Sequence, residues 1–151
     1  MRAALAFTAA LLVLVAACSD DEAPADVGST VRFTRAGHEA TLTVEIADEP
    51  GERTAGLSNR PSLDEDAGML FVYEDDTNTS FWMKDTTIPL SIAFVTAGGV
   101  VLDIQDMEPL SEEPHRSPEP YRYAIEANQG WFDDNDVRVG DLVQLPVGVG
   151  V

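Results

Sequence analysis

The chain has 151 residues and carries nine Lys or Arg against 27 Asp or Glu, a formal net charge of -18. That length suits one ordinary domain with a real core and is too short for two. The charge argues against nucleic acid and anionic lipid headgroups as direct partners, because no basic patch exists to neutralise phosphates, and it favours cationic, neutral or metal-bridged ones.

Residues 1–17 and the following cysteine read "MRAALAFTAALLVLVAAC". Arg2 supplies a positive start, an apolar run follows, and small residues stand directly before Cys18. The run is too short to span a bilayer comfortably and polar residues follow at once, so a secretory signal peptide is expected. The cysteine makes the arrangement resemble a bacterial lipobox, which implies cleavage before Cys18, its acylation, and lasting attachment to the cell membrane on the extracytoplasmic side. Cys18 is the only cysteine, so the mature domain has no disulfide and no thiolate site. Residues 18–29, beginning "CSDDEAPADVGS", are acidic and free of large apolar side chains, as a flexible tether requires.

One β domain is expected over residues 30–147. "TVRFTRAGHEATLTVEIAD" alternates Val31 and Phe33, then Ala40, Leu42, Val44 and Ile46, with polar residues, which predicts two strands joined at Ala36-Gly37-His38. Asp48 is placed to cap a short helix that holds Glu49, Pro50 and Glu52 in its first turn and ends at Gly56. "MLFVY", "SFWMK" and "SIAFVT" are short apolar runs rich in β-branched and aromatic residues, so each is expected as a strand. Ala97-Gly98-Gly99 then makes a hairpin into "VVLDIQDM". Residues 108–120 contain four prolines and are expected as a long surface loop. "YRYAIE" resumes a strand, "NQGWFDDNDV" suggests one helical turn, and "DLVQLP" supplies the last strand. Seven or eight strands with one or two short helices point to a mainly β fold, an antiparallel sandwich or a partly closed, jelly-roll-like barrel.

No motif for a cofactor or metal is present. His38 and His115 are the only histidines and are expected as exposed loop residues, and no acidic cluster fits an EF-hand loop. Lys84, in "SFWMK", is the only lysine. If Phe81 and Met83 face the core, Trp82 and Lys84 face the other way. A compact, readily desolvated amine among arginines suits a carboxylate partner such as Asp85 or Glu126, or a ligand.

The blocks "ERTAGLSNRPSL", "GMLFVY", "SFWMKDTTIPLSIAF", "YRYAIEANQGW" and "VGDLV" closely resemble the domain of unknown function 192 family over about residues 41–146. These are small bacterial and archaeal proteins, often behind a signal or lipoprotein peptide. The resemblance implies a mainly β, sandwich-like fold and supplies no reaction. It draws attention to Arg53, Gly56-Leu57, Arg60, the Gly68 to Phe71 block, Phe81 to Lys84, Thr86, Pro89-Leu90, Glu126 and Gly140-Asp141. Two positions depart from the family pattern: Asp85 stands where asparagine is usual, and Ser91 where aspartate is frequent.

Three functions are compatible with these residues. The first is a non-enzymatic binding or envelope-assembly module, with Trp82, Lys84, Tyr121, Tyr123 and Trp131 on a surface for an envelope sugar, peptide or protein. The second is a hydrolase of an envelope polymer, using Glu126 or Asp85 as acid or base and Lys84 or Arg60 to stabilise negative charge. The third is a structural domain in which Arg53, Arg60, Lys84 and Glu126 form internal ion pairs.

Overall fold

The computed structural model describes residues 29–149. The apolar segment 1–17, the lipidation candidate Cys18 and most of the acidic tether lie outside the described residues. Ser29, expected as the end of the tether, is the first residue of β1.

The strands are β1 (Ser29–Arg35), β2 (His38–Ala47), β3 (Ala67–Thr77), β4 (Leu90–Val95), β5 (Val101–Met107), β6 (Tyr121–Asn128) and β7 (Leu142–Gln144). They form one sheet in the order β5-β4-β6-β3-β2-β1-β7, curled into a half-barrel. Two short helices, α1 (Pro50–Ala55) and α2 (Trp131–Asp134), complete the fold. The mainly β, partly closed expectation therefore holds. One pair, β2 with β3, is parallel, and the segment carrying α1 serves as the crossover that parallel strands need.

At one end the sheet nearly closes on itself. Val100 bridges Leu142, the Val101 amide donates to the Asp141 carbonyl, and the Val143 amide donates to the Gly99 carbonyl. Gly99 has φ +76°, and a Cβ there would stand 2.7 Å from the Val143 carbonyl oxygen, so only glycine permits this approach.

Both faces of the central strands are covered. The concave face packs Val31, Phe33, Leu42 and Val44 of the β1–β2 hairpin against Tyr123, Ile125 and Trp131. The convex face packs Leu57, Phe71, Met83, Ile92 and Phe94 under α1 and the loops that follow β3 and β5. Strand β6 serves both, Ile125 on one side and Ala124 on the other.

Three local expectations are corrected. Residues 80–84 do not form a strand: Phe81 makes an isolated bridge with His115, and the Met83 amide donates to the Ser111 carbonyl. The partner is the Pro-rich loop, whose missing amides cannot extend a ladder. The alternation survives as burial, with Met83 inside and Trp82 and Lys84 exposed. Glu49, not Asp48, caps α1, exchanging hydrogen bonds with Glu52 in a capping box. Neither histidine is a free loop residue: His38 opens β2 with its Nε2 buried, and His115 places Nδ1 3.1 Å from Gln105 Oε1.

Gly68 sits where β3 meets β6, and a Cβ there would lie 2.3 Å from the Glu126 carbonyl oxygen and 2.8 Å from Leu42 Cδ2. Gly68→Ala should lower stability by about 3 kcal/mol through overpacking, read as a lower urea midpoint at unchanged slope. Gly51→Ala, in open space on α1, is the control and should be neutral or mildly stabilising. Equal midpoints for the two variants would refute the close-approach argument.

Candidate functional site

Helix α1 and the segment 79–86 stand apart on the convex face, leaving a cleft of about 400 Å³. That volume lies toward the small end of ligand pockets, which span roughly 300 to 1,000 Å³. Leu57, Phe71, Phe81, Met83 and Leu90 supply apolar wall, Tyr73 and Trp82 supply amphipathic rings, Arg53 enters from α1, and Glu126 lies on the sheet at the base.

Glu126 is the unusual group. Its directly opposed residues are Met69 on β3 and Ile92 on β4, and opposed residues in an antiparallel pair project from the same face. A thioether and a branched aliphatic chain thus flank the carboxyl on both sides. The residue is 5 % exposed, and among the described residues no side-chain hydrogen bond or ion pair reaches its carboxyl. Desolvation alone pushes its pKa up to about 8, so at neutral pH it is mostly a protonated acid that donates a hydrogen bond.

Arg53 ties α1 to β3. Its Nη1 donates to the Val72 carbonyl at 2.9 Å and also to the Asp48 carbonyl, while the guanidinium lies 5.0 Å from the Tyr73 ring centroid. Burial raises the Tyr73 pKa, the neighbouring Tyr121 hydroxyl and the Arg53 charge oppose the rise, and Glu126, ionised by the pH at which a tyrosine titrates, adds to it. Beside Tyr73, the Tyr121 hydroxyl donates to the Thr79 carbonyl at 2.6 Å, which fixes the start of the segment that forms the opposite wall.

Trp82, 56 % exposed, stands at the mouth. The Lys84 ammonium lies 5.6 Å from its ring centroid and pairs with neither Asp85 nor Glu126. Three non-glycine residues with left-handed backbone meet here: Asn59 (φ 61°), Asp85 (φ 57°) and Leu110 (φ 61°). Their strands of chain are laced together, since the Asn59 amide donates to the Asp85 carbonyl and the Leu110 amide to the Thr86 carbonyl. Such conformations cost about 1 kcal/mol or more each and persist where surrounding contacts over-determine them.

Of the candidates named from sequence, Arg53, Trp82 and Glu126 share the cleft. Lys84 is at its edge, on Trp82. Asp85 serves the turn, and Arg60 is engaged elsewhere, its two Nη atoms donating to the Glu45 carboxylate, whose pKa this lowers. Tyr121, Tyr123 and Trp131, expected on a binding surface, are core residues: β6 is covered on both faces, and α2 packs Trp131 against Phe33. Tyr73 was not singled out from sequence, and Phe71 only as the end of the Gly68 to Phe71 block; the signal for both was the two-residue spacing with Met69 that places all three on one face. Ser91 is on the other face from Glu126, opposed to Ala127, and joins the Gly130 amide to Asp106.

Residues 31–145 match the model of the DUF192 family, described as "Uncharacterized ACR". Two crystal structures are similar. A Sinorhizobium meliloti 1021 protein, provisionally assigned as a transcription regulator, is 34% identical with a TM-score of 0.74, over 78% of this chain and 92% of that one. A protein of unknown function from Novosphingobium aromaticivorans DSM 12444 is 29% identical with a TM-score of 0.73, over 76% and 83% of the two chains. No curated protein gives a significant match.

The raised pKa of Glu126 sets a pH dependence of stability. Unfolded, its carboxyl ionises near 4.5; folded, near 8. The unfolded chain releases this proton first, so stability is full below about pH 4.5 and falls as pH rises, until about pH 8. Glu126→Gln removes that loss. The variant should gain on the wild type by on the order of 4 kcal/mol between pH 5 and pH 9 in urea unfolding. A gap independent of pH would mean that the carboxyl is not desolvated.

Proposed function

We propose that this chain, which belongs to the DUF192 family on its match over residues 31–145, is a non-enzymatic binding module held outside the cytoplasmic membrane by a lipidated Cys18. Its ligand is a small molecule, or one unit of an envelope sugar, peptide or protein, seated between Trp82 and Glu126. The observation that carries this reading is the cleft itself: a partly aromatic recess of mixed apolar and polar lining, with the largely buried Glu126 carboxyl at its base free of any side-chain partner among the described residues. Aromatic and apolar walls with polar groups that fix orientation are usual in a ligand site, and a desolvated polar group without a protein partner gains free energy from a ligand that supplies one.

The competing functions draw less from the geometry. A hydrolase would find a general acid in Glu126, whose pKa suits the task, but the proposed helpers Lys84, Asp85 and Arg60 do not line the cleft. Internal ion pairs account for Arg60, through Glu45, and leave Arg53, Lys84 and Glu126 unexplained. The acidity of this chain gives a nucleic-acid role no footing.

Two measurements address the two halves of the reading. Trp82→Ala changes an exposed side chain and should leave the unfolding free energy from urea titration within about 0.5 kcal/mol of wild type while abolishing capture of envelope material by the cleft. Capture that survives the substitution would remove Trp82 from the site. Cys18→Ala should shift the chain from the membrane fraction to the soluble extracytoplasmic fraction, and an unchanged distribution would end the lipid-anchor proposal.

A further inference from the structure

We infer that the ligand carries a carboxylate, which pairs with the Arg53 guanidinium and accepts a hydrogen bond from the Glu126 carboxyl while its apolar body lies against Phe81 and Trp82. This rests on the binding-module reading and specifies the chemical class of its ligand.

The first argument is ionic pairing. Acids outnumber bases three to one in this chain, 27 against nine, and Arg32, Arg35, Arg60, Arg122 and Arg138 each have a carboxylate within salt-bridge distance. Arg53, Lys84 and Arg116 have none among the described residues, and of these three only Arg53 lines the cleft. Its Nη1 is taken by two backbone carbonyls, which anchors the guanidinium and leaves Nε and Nη2 without a protein acceptor. A guanidinium so anchored is prepared for an incoming carboxylate, whose planar geometry matches its fork.

The second is the state of Glu126. The groups that face it are Met69 from β3 and Ile92 from β4, both apolar, with Arg53 from α1 and Tyr73 from β3 the only titratable neighbours around the cleft; the segment 79–86 contributes no charged lining residue. With its pKa near 8, Glu126 is neutral at pH 7, so the lining carries one positive charge and an acid proton to donate. A carboxylate complements both. An ammonium would meet Arg53 and would first have to displace the proton. The overall negative charge favours cations at long range, but it is spread over exposed side chains and screened beyond about 8 Å at physiological salt; inside the recess the nearest charges decide.

The test uses the full chain in detergent micelles and follows the indole N–H resonance of Trp82, assigned with Trp82→Phe. The probes are phenylacetate, phenylacetamide and phenethylamine, which share a body and differ in the head group. At pH 6.5 phenylacetate should bind at least about tenfold more tightly than the other two, the size of one charge-assisted hydrogen bond. Its affinity should fall about tenfold or more by pH 9.5 as Glu126 loses its proton, Glu126→Gln should remove that pH dependence, and Arg53→Gln should remove the preference over the amide. A glycyl-phenylalanine dipeptide and glucuronate then separate the two natural sources of a carboxylate, a peptide C-terminus and an acidic sugar; tighter binding of either supports the inference. If the amide or the amine binds as tightly as phenylacetate, or if affinity rises with pH, the carboxylate inference is overturned while the cleft remains a binding site. If no probe, charged or neutral, moves the Trp82 resonance, both fall.

Discussion

The whole domain is built around a strand that has no wet face. In a half-barrel one side of every strand lines the interior, and here α1, the segment 79–86 and the Pro-rich loop also cover the outer side of β3, β4 and β6. The residues of β6 from Tyr123 to Ala127 are consequently all buried. Double coverage produces a larger core than one-sided packing, and it also removes water from any polar side chain that happens to lie on the outer face. Glu126 is that side chain. Its raised pKa, the tight fit of Gly68 beneath it and the recess above it follow from one packing arrangement.

Several of the motif residues have architectural work that has nothing to do with a ligand. Gly56 has φ +49° at the end of α1, which releases the chain so that Leu57 is buried against the sheet. Asp141, 3 % exposed, accepts both Arg35 and the Arg138 amide through its carboxylate, and its backbone carbonyl receives the Val101 amide; this single residue therefore joins β1, β5 and the approach to β7 where the half-barrel nearly closes. The left-handed backbone of Asp85 gives a physical reason for asparagine at that position in relatives, since Asn and Asp tolerate this conformation better than other side chains. The departure to aspartate is thus conservative for the backbone.

The strands were legible wherever one face is wet. The β1–β2 hairpin shows clean alternation, and the Gly-rich turn into β5 is equally plain. Where both faces are dry the alternation disappears, so the sequence of β6 marks a strand and hides which of its residues share a face. The parallel pairing of β2 and β3 was not legible, because an intervening segment of irregular chain does not announce the direction of the next strand. "SFWMK" misled for a related reason: burial alternates at every second residue in any extended segment, whether its hydrogen bonds go to a sheet or to a loop. For the site, Trp82 and Lys84 stood out by residue type, whereas Glu126 came forward only as one carboxylate that Lys84 could hold and through family resemblance, not as a desolvated acid. Nothing in "YRYAIEANQ" separates a solvated glutamate from one wedged between Met69 and Ile92, since both neighbours arrive from distant parts of the chain.

That wedge bears on why an acid should occupy the position at all. A Gln would fit the same space with no titration, and a Leu would complete the apolar face, so packing alone favours either over a carboxyl. Removing both ionic partners from a site and replacing them with apolar residues is often stabilising, and here there is not even a partner to lose. The same face already carries Leu57, Phe71 and Ile92 in one apolar cluster. A protonated carboxyl differs from glutamine in one chemically useful respect: its proton is acidic, and it binds an anionic acceptor more strongly than an amide does. The left-handed junction at Asn59, Asp85 and Leu110 lies beside that site, and its backbone hydrogen bonds from Asn59 to Asp85 and from Leu110 to Thr86 tie down the end of the wall opposite α1. Under the proposed binding role, the acid that packing alone does not favour and the strained junction beside it fall in one place, where a ligand would repay the stability they cost.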